Sequence, residues 1–224
     1  MVLVIFLLVT GLFTWVFNNS SILQYNYASI SQLFIIAPLV FLFLIPAVTM
    51  QSFADEKQKR TMEFLTTKPL TDLQIVGGKY LACLSLVILA LLPTLIYYFS
   101  VYHLGSPRGN IDNGAVIGSY VGLFLLSSVF VAIGVFISSL TENQIVSFIA
   151  SAFVCFILYF SFSFISDLPV FFGVWDDFIK YLGIEYHYDN ISKGRLDTRD
   201  IVYFLSLVCF FIWLTLVSLG RRRW

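Results

Sequence analysis

Six long apolar segments constrain this chain more than any other feature. A transmembrane helix needs roughly 17–25 mostly apolar residues, and the ranges that qualify are 1–17, 33–50, 80–102, 115–139, 145–165 and 201–219. None of these segments contains Asp, Glu, Lys or Arg. Together they take up more than half of the 224 residues, so no separate soluble domain fits beside them. We therefore expect a single all-α transmembrane domain over residues 1–224, with six membrane-spanning helices.

The composition excludes whole classes of protein. Hydrophobic residues make up 59% of the chain and charged residues 12%, whereas soluble domains have about 45–50% and about 25%. A soluble fold of this size could not bury so much apolar surface, which argues against a water-soluble enzyme. The formal net charge is zero, which removes nucleic acid as an expected partner. The lipid bilayer is the expected surrounding.

The basic residues predict the orientation of the chain. Cytoplasmic loops of membrane proteins carry an excess of Lys and Arg. Loops 51–79, 140–144 and 220–224 lie on one side and hold Lys57, Lys59, Arg60, Lys68, Lys79, Arg221, Arg222 and Arg223. Loops 18–32, 103–114 and 166–200 are longer but hold only Arg108, Lys180, Lys193, Arg195 and Arg199. The first set is therefore expected in the cytoplasm, together with both chain termini.

The sequence lacks the motifs of the common membrane enzymes and carriers. Ion-coupled carriers usually place ionisable groups within their spans, and neither an HExxH nor a GxSxG pattern occurs. Gly77-Gly78-Lys79 resembles the end of a phosphate-binding loop, but Leu73 and Tyr80 stand where that motif needs Gly and Ser or Thr. We therefore expect no catalytic, cofactor-binding or metal-binding residue, and no ATPase activity in this chain.

The loop at residues 51–79 has the pattern of two helices around a proline turn. Ser52 and Asp55 form a capping-box pattern. The pairs Asp55–Lys59 and Glu56–Arg60 have i,i+4 spacing with the acid first. Lys68 precedes Pro69, so the first helix should run over 54–67 and end there. A second capping box, Thr71 with Gln74, predicts a helix that starts at Asp72 and continues into the third span.

Two interpretations of this loop remain open at the level of composition. A charged connector could simply lie in solvent at the membrane surface. Alternatively, a short amphipathic helix could be a docking element that a soluble partner pushes against.

The same loop resembles that of ABC-2 type permeases. The residues in question are Glu56-Lys57, the run Arg60-Thr61-Met62-Glu63-Phe64-Leu65-Thr66-Thr67, Pro69-Leu70 and the run Gln74 to Ala82. The turn at 139–144 and the approach to the last span, from Gly194 to Phe204, match as well. The resemblance covers nearly the whole chain, and the similarity is greatest to the permease subunit associated with gliding motility. Relatives begin with an amphipathic helix, so we expect a cytoplasmic N-terminal element to be missing here.

This resemblance implies which residues couple the chain to an ATPase. They are Glu56, Lys57, Arg60, Thr61, Met62, Glu63, Leu65, Thr66 and Pro69 of the coupling loop 51–79. A secondary cytoplasmic turn would be formed by Thr141, Glu142, Asn143 and Gln144. The outer loop, 166–200, should contain a short amphipathic helix, since Trp175, Phe178, Ile179 and Leu182 share one helical face.

The resemblance also implies a function. The chain would be the transmembrane subunit of an ATP-driven exporter in a bacterial inner membrane, linked to gliding motility. Its partners would be separate ABC ATPase subunits, a second permease copy or a related permease, and an auxiliary membrane-anchored subunit. One alternative is an ABC-2 exporter of lipid, polysaccharide or drug outside gliding motility. The other is a membrane scaffold that transports nothing.

The spacing of small residues in the fourth span is a final feature. Gly114, Gly118 and Gly122 are four residues apart, which lets helices approach closely. We expect them to serve packing within the chain rather than contact with a second chain.

Overall fold

The computed structural model describes residues 2–17, 29–61, 69–166 and 176–220, and every regular element in these ranges is helical. In chain order the helices are α1 (Val2–Trp15), α2 (Ser31–Thr49), α3 (Ala54–Gln58), α4 (Asp72–Leu91), α5 (Leu95–Leu104), α6 (Asn113–Leu140), α7 (Gln144–Ser166), α8 (Asp176–Tyr181), α9 (Ile184–Ser192) and α10 (Thr198–Gly220). A 3₁₀ turn at Leu92–Thr94, which contains Pro93, joins α4 to α5.

Five helical stretches in the described part of the chain are long and apolar enough to cross a membrane. They contain α2, α4 with α5, α6, α7 and α10. Helix α1 has 14 residues, which is about 21 Å at 1.5 Å per residue, short of the roughly 30 Å hydrocarbon core. The all-helical fold class is confirmed, but the count of six spans is not.

Helix α6 lies at the centre of the bundle, and most of its residues are buried. Its glycines allow close approach at two levels. A Cβ atom on Gly118 would lie 3.0 Å from the carbonyl oxygen of Ile191, and one on Gly134 would collide with the Thr49 side chain. The small-residue stripe therefore packs against α9, within the chain as expected, and α2 packs against the other half of α6.

The two ends of the bundle carry different elements. We call the end that holds residues 50–61, 69–79 and 139–144 the α3 end, and the opposite end, which holds α8 and α9, the α9 end. At the α9 end, Pro38 leaves the carbonyl of Phe34 without its usual i+4 donor. The hydroxyl of Tyr188 donates to that carbonyl oxygen at 2.6 Å. Helix α9 is thereby fastened to the half of α2 that lies at the α9 end.

A buried polar pair holds α9 against α10. His187 Nδ1 lies 2.5 Å from Asp200 Oδ1, and His187 Nε2 lies 2.8 Å from the Tyr181 carbonyl oxygen. A carbonyl oxygen can only accept, so Nε2 carries a hydrogen. The imidazole ring stacks on Tyr203 with ring centroids 4.0 Å apart. Asp200 is buried in the first turn of α10. It lies just before the apolar segment 201–219, so the sequence did not mark it as part of the last helix.

Candidate functional site

Helix α3 is much shorter than the sequence predicts. It ends at Gln58, and Arg60 takes a φ of 56°, which turns the chain away. The Thr61 N–H donates to the Glu56 carbonyl at 2.9 Å and the Arg60 N–H to the Lys57 carbonyl at 3.1 Å. These two bonds form a Schellman motif with Arg60 at the position that usually holds Gly. The prediction of one helix over 54–67 is therefore wrong, because a left-handed residue ends it.

The predicted capping box at Ser52 does not form either. The residue before α3 is Phe53, and no side chain of the loop itself caps the helix. Ser138 of α6 does so instead: its Oγ accepts from the N–H of Phe53 at 3.0 Å and of Ala54 at 3.1 Å. The same hydroxyl donates to the Met50 carbonyl at 3.1 Å. One buried serine thus satisfies three backbone groups where α2 turns into α3.

Lys79, near the start of α4, fastens the other side of α3. Its Nζ lies 2.6 Å from Glu56 Oε2 and 4.3 Å from the centroid of the Phe53 ring, and it also donates to the Ser52 carbonyl. The Lys79 side chain is only 17% exposed. The predicted Glu56–Arg60 pair is therefore replaced by Glu56–Lys79, since α3 ends before Arg60 can complete the i,i+4 geometry.

The turn between α6 and α7 forms the third attachment of α3. Asp55 Oδ1 accepts from Gln144 Nε2 at 2.5 Å, and Asp55 Oδ2 pairs with Lys59 Nζ at 2.8 Å, as the i,i+4 spacing predicts. Lys57 Nζ donates to the Ser139 carbonyl and, at 3.4 Å, to the Thr141 carbonyl. The coupling loop and the secondary turn, which the sequence treats as separate features, therefore meet in the structure.

The start of α4 agrees with the sequence in detail. Thr71 Oγ1 accepts from the Gln74 N–H at 3.3 Å, and Gln74 Oε1 accepts from the Thr71 N–H at 3.0 Å, so the second capping box is confirmed. Leu73 on this first turn is 65% exposed. Gly77 and Gly78 lie within α4, where no phosphate-binding loop can form.

The attachments divide the predicted coupling residues into two groups. Glu56 and Lys57 are used inside the protein, whereas Arg60 and Pro69 are exposed and Thr61 is half-buried. In the turn, Glu142 and Asn143 are exposed, Asn143 Oδ1 accepts from the Ile145 N–H at 2.8 Å, and Thr141 is half-buried. Met62, Glu63, Leu65 and Thr66 lie outside the described residues, as does Trp175 of the outer loop.

In the described ranges no cluster of three or more His, Cys, Asp or Glu side chains could hold a metal ion. The described part of the site is a short helix, α3, held by side chains of α4, α6 and α7. In a comparison with known proteins, residues 8–221 match the family model described as ABC-2 family transporter protein.

The chain belongs to the ABC-2 transporter family. It is thus a multi-pass membrane protein, the transmembrane subunit of an ABC exporter and not itself an enzyme. No curated protein matches it significantly.

Three residues that matter at this ABC-2 site went unrecognised in the sequence. Phe53 and Ser138 belong to no motif in the sequence, and Lys79 is only one of several basic residues in the loop at 51–79. A signal existed for one of them: Ser138 and Ser139 end an apolar segment directly before the polar turn at 141–144. Ser139 Oγ also lies 3.2 Å from Ser218 Oγ, which brings the end of α10 to the same place.

Proposed function

We propose that α3 receives the motion of a separate ATP-hydrolysing subunit and passes it to the transmembrane helices of this exporter. The observation that supports this is the attachment of a five-residue helix to four long ones. It continues α2 in the chain, pairs with α4 through Lys79, is capped by α6 through Ser138 and bonds α7 through Gln144. A solvated connector would have no use for these bonds.

Rigidity is what makes such an element useful. A push on α3 cannot be absorbed by the loop while Lys79, Ser138 and Gln144 hold it, so the displacement reaches all the attached helices at once. Long-range conformational change in proteins is carried by packed elements that move between two arrangements, and we propose that α3 moves in this way. The expected readout is a tilt of α2 and α4 relative to α6.

The surface that we propose for the ATPase adds Lys59, Leu70 and Leu73 to the predicted Arg60 and Pro69. Lys59 and Arg60 are exposed at the end of α3, and Pro69, Leu70 and Leu73 are exposed at the start of α4. A partner that fits this surface carries acidic groups opposite the two basic residues and an apolar groove for the two leucines. Glu56 and Lys57 act by holding α3 in place, not by touching the partner.

The remaining assignments follow from charge distribution and similarity. The α3 end faces the cytoplasm of a bacterium, in the inner membrane, because the basic residues concentrate there. The subunit acts as a dimer with a second permease copy or a related permease, and with an auxiliary membrane-anchored subunit. Its link to gliding motility is supported by overall sequence similarity alone, and deletion followed by a motility assay tests it. Loss of export of a lipid, polysaccharide or drug with normal motility would favour the alternative exporter.

Purification of the complex from native membranes in mild detergent tests the coupling role. The wild-type chain should bring down an ATPase subunit. Arg60→Glu and Leu73→Asp should each lower the ATPase recovered at least tenfold, since truncating a buried interface anchor commonly costs about 2 kcal/mol or more, at 1.4 kcal/mol per tenfold.

The matched control is Gln58→Ala, an exposed position beside the proposed contact that should change the recovered ATPase little. All variants should reach the membrane in normal amounts, because the substitutions lie outside the buried core. A wild-type complex without any ATPase would favour the non-transporting scaffold. Full retention of the ATPase by both variants would disprove the proposed contact surface.

A further inference from the structure

The α9 end of the bundle contains a cavity of about 830 Å³. Its walls come from the half of α2 at the α9 end, the start of α6, the end of α7, Lys180 of α8 and one side of α9. Cavities that hold small molecules are commonly about 300–1,000 Å³. The volume is therefore sufficient for a headgroup and the first part of a hydrocarbon chain.

One side of the cavity is apolar and faces outward from the bundle. Ile35 and Leu39 are one helical turn apart on α2, and both line the cavity. They are 63% and 46% exposed, and on a helix of membrane-spanning length an exposed apolar side chain is accessible to hydrocarbon. Phe34 and Phe160 extend this apolar wall inward. An acyl chain can therefore pass between the cavity and the bilayer.

The other side of the cavity carries charges in a fixed order. Glu185, Asp189 and Lys193 are spaced four residues apart, so they follow one side of α9 with about 6 Å between neighbours. All three line the cavity. Ser163 Oγ donates to Glu185 Oε2 at 2.5 Å, and Asp189 Oδ2 pairs with Lys193 Nζ at 2.5 Å. Asp112 and Lys180 also line the cavity, where Asp112 Oδ1 accepts from the Ala115 N–H at 3.1 Å and Lys180 Nζ pairs with Asp176 Oδ1 at 2.9 Å. The lining thus has acidic and basic groups together, which suits a ligand that has both charges.

From this arrangement we infer that the cavity binds a phospholipid with a primary-amine headgroup, taken from the adjoining leaflet. The ammonium group meets the Glu185 carboxylate, to which it donates charge-assisted hydrogen bonds. The phosphate meets Lys193 at the rim, and an acyl chain leaves past Ile35 and Leu39. An anionic lipid without an amine would bring its charge against Glu185 and Asp189, and a small soluble amine would leave the apolar wall unfilled.

Native mass spectrometry of the detergent-purified full chain tests this inference with three lipid probes. They are phosphatidylethanolamine, phosphatidylcholine and phosphatidylglycerol with identical acyl chains. Phosphatidylethanolamine should bind about tenfold more tightly than the other two. Glu185→Gln should remove that preference, whereas Asp197→Asn, an exposed carboxylate at the same end that does not line the cavity, should keep it.

A second variant tests the position of the acyl chain independently of charge. Leu39→Trp fills the lipid-facing mouth from an exposed position, so it should weaken binding of all three lipids without disturbing the core. Equal binding of the three lipids by the wild-type chain, or an unchanged preference in Glu185→Gln, overturns the inference. No ATPase enters these measurements, so their outcome is independent of the coupling role proposed for α3.

Discussion

At the scale of single residues, Ser138 shows how a hydroxyl can hold two elements together. Its Oγ accepts from the N–H groups of Phe53 and Ala54 and donates to the Met50 carbonyl. All three backbone groups belong to the passage from α2 to α3, where no local side chain caps the helix. Helix termini always leave backbone groups to be satisfied, and here a residue from a distant helix satisfies them.

Ser138→Ala should therefore loosen α3. The change leaves buried backbone groups unpaired, at a cost of about 1–3 kcal/mol for each group left without a partner. Hydrogen exchange of the Phe53 and Ala54 amides should speed up about tenfold or more. Ser127→Ala is the control, since that buried hydroxyl bonds only the Phe124 carbonyl of its own helix, at 2.8 Å. Equal acceleration in both variants would mean that loss of any α6 hydroxyl has this effect.

Arg60 shows the opposite case, a residue whose backbone conformation is unfavourable. Its φ of 56° is unfavourable for an L-amino acid by about 1–2 kcal/mol. Arg60→Gly should relieve this strain, for a net gain of roughly 1 kcal/mol in the stability of the α3 terminus after the larger entropy loss of Gly. The Thr61 amide, bonded to the Glu56 carbonyl, should then exchange about fivefold more slowly.

Lys59→Gly serves as the control for this prediction. Lys59 has ordinary right-handed helical angles, so Gly there brings only its entropic disadvantage, and the Thr61 amide should exchange faster. If both glycine variants accelerate exchange, the Arg60 side chain stabilises the turn by more than the strain costs. Arg60 is strained, and it lies on the proposed ATPase contact. A strained arginine at this position is expected if its side chain is needed for that contact.

At the scale of elements, the contacts that Lys79 makes with α3 and the residues before it should depend on one another. Lys79 pairs with Glu56, lies over the Phe53 ring and donates to the Ser52 carbonyl. Lys79→Met should therefore raise amide exchange throughout 53–59 more than Glu56→Gln does. The double variant should match Lys79→Met alone, because the ion pair is already lost in that variant.

The exposed pair Asp55–Lys59 supplies the control for the Lys79 contacts. The Lys59 side chain is 65% exposed, and i,i+4 pairs contribute only about 0.2–0.5 kcal/mol. Lys59→Met should thus change exchange in α3 by less than threefold. Strictly additive effects of Lys79→Met and Glu56→Gln would show that the two side chains do not act on each other.

Helix α2 offers a second element-scale prediction, at the kink of Pro38. Tyr188 donates to the Phe34 carbonyl, which Pro38 leaves without its usual backbone donor. Tyr188→Phe should destabilise the protein by about 1–3 kcal/mol, as expected for a buried carbonyl left unsatisfied. In a Pro38→Ala background the restored N–H can bond that carbonyl, and the cost of Tyr188→Phe should fall below about 1 kcal/mol.

The pH dependence of this contact can be stated from the pKa of Tyr188. Burial, with Tyr159 and Asp189 nearby, raises the pKa of the Tyr188 hydroxyl well above its usual 10.0. The hydroxyl therefore remains a donor up to pH 10, and its contribution is lost only as the unfolded chain begins to ionise above that pH. The difference between wild type and Tyr188→Phe in chemical denaturation should be constant from pH 6 to 9.

The sequence predicted the elements whose determinants are local. The capping box of Thr71 and Gln74 spans three residues, and it correctly marks the start of α4. The start of α3 depends instead on Ser138, which is 85 positions from Phe53. A pattern search along the chain cannot detect that bond, so it assigned the cap to Ser52. The Glu56–Lys79 pair was missed for the same reason.

At the scale of the whole molecule, the proposed orientation places the α3 end inside the cell. Cysteine labelling tests it, and the structure chooses the positions: Gln58 is exposed at the α3 end and Arg195 at the α9 end, whereas the Ser52 hydroxyl is buried. A Cys209→Ser background removes the exposed native thiol; Cys83 and Cys155 are buried. A membrane-impermeant maleimide should label Arg195→Cys in intact cells, and Gln58→Cys only after permeabilisation. The reverse labelling pattern would show that the chain has the opposite orientation in the membrane.

The side of the membrane on which the N-terminus lies depends on α1. Its Phe6 ring stacks on Phe41 of α2, with ring centroids 5.4 Å apart, and the Leu7 carbonyl accepts from Tyr97 Oη at 3.2 Å. Phe41 stands eight residues before the end of α2 at Thr49, about 12 Å along the axis. Trp15, at the other end of α1, packs on Tyr97 of α5. Helix α1 therefore runs antiparallel to α2, with its first residues towards the α3 end.

We thus expect an epitope tag added before Met1 to lie on the same side of the membrane as Gln58. In intact cells an antibody should not reach the tag, and after permeabilisation it should. Helix α1 is short, but it packs beside α2 through the contact of Phe6 with Phe41. A tag placed after Trp224 is the control and should behave identically if six segments cross the membrane. A tag reached from outside only at the N-terminus would show that five segments cross and that α1 enters the bilayer without crossing it.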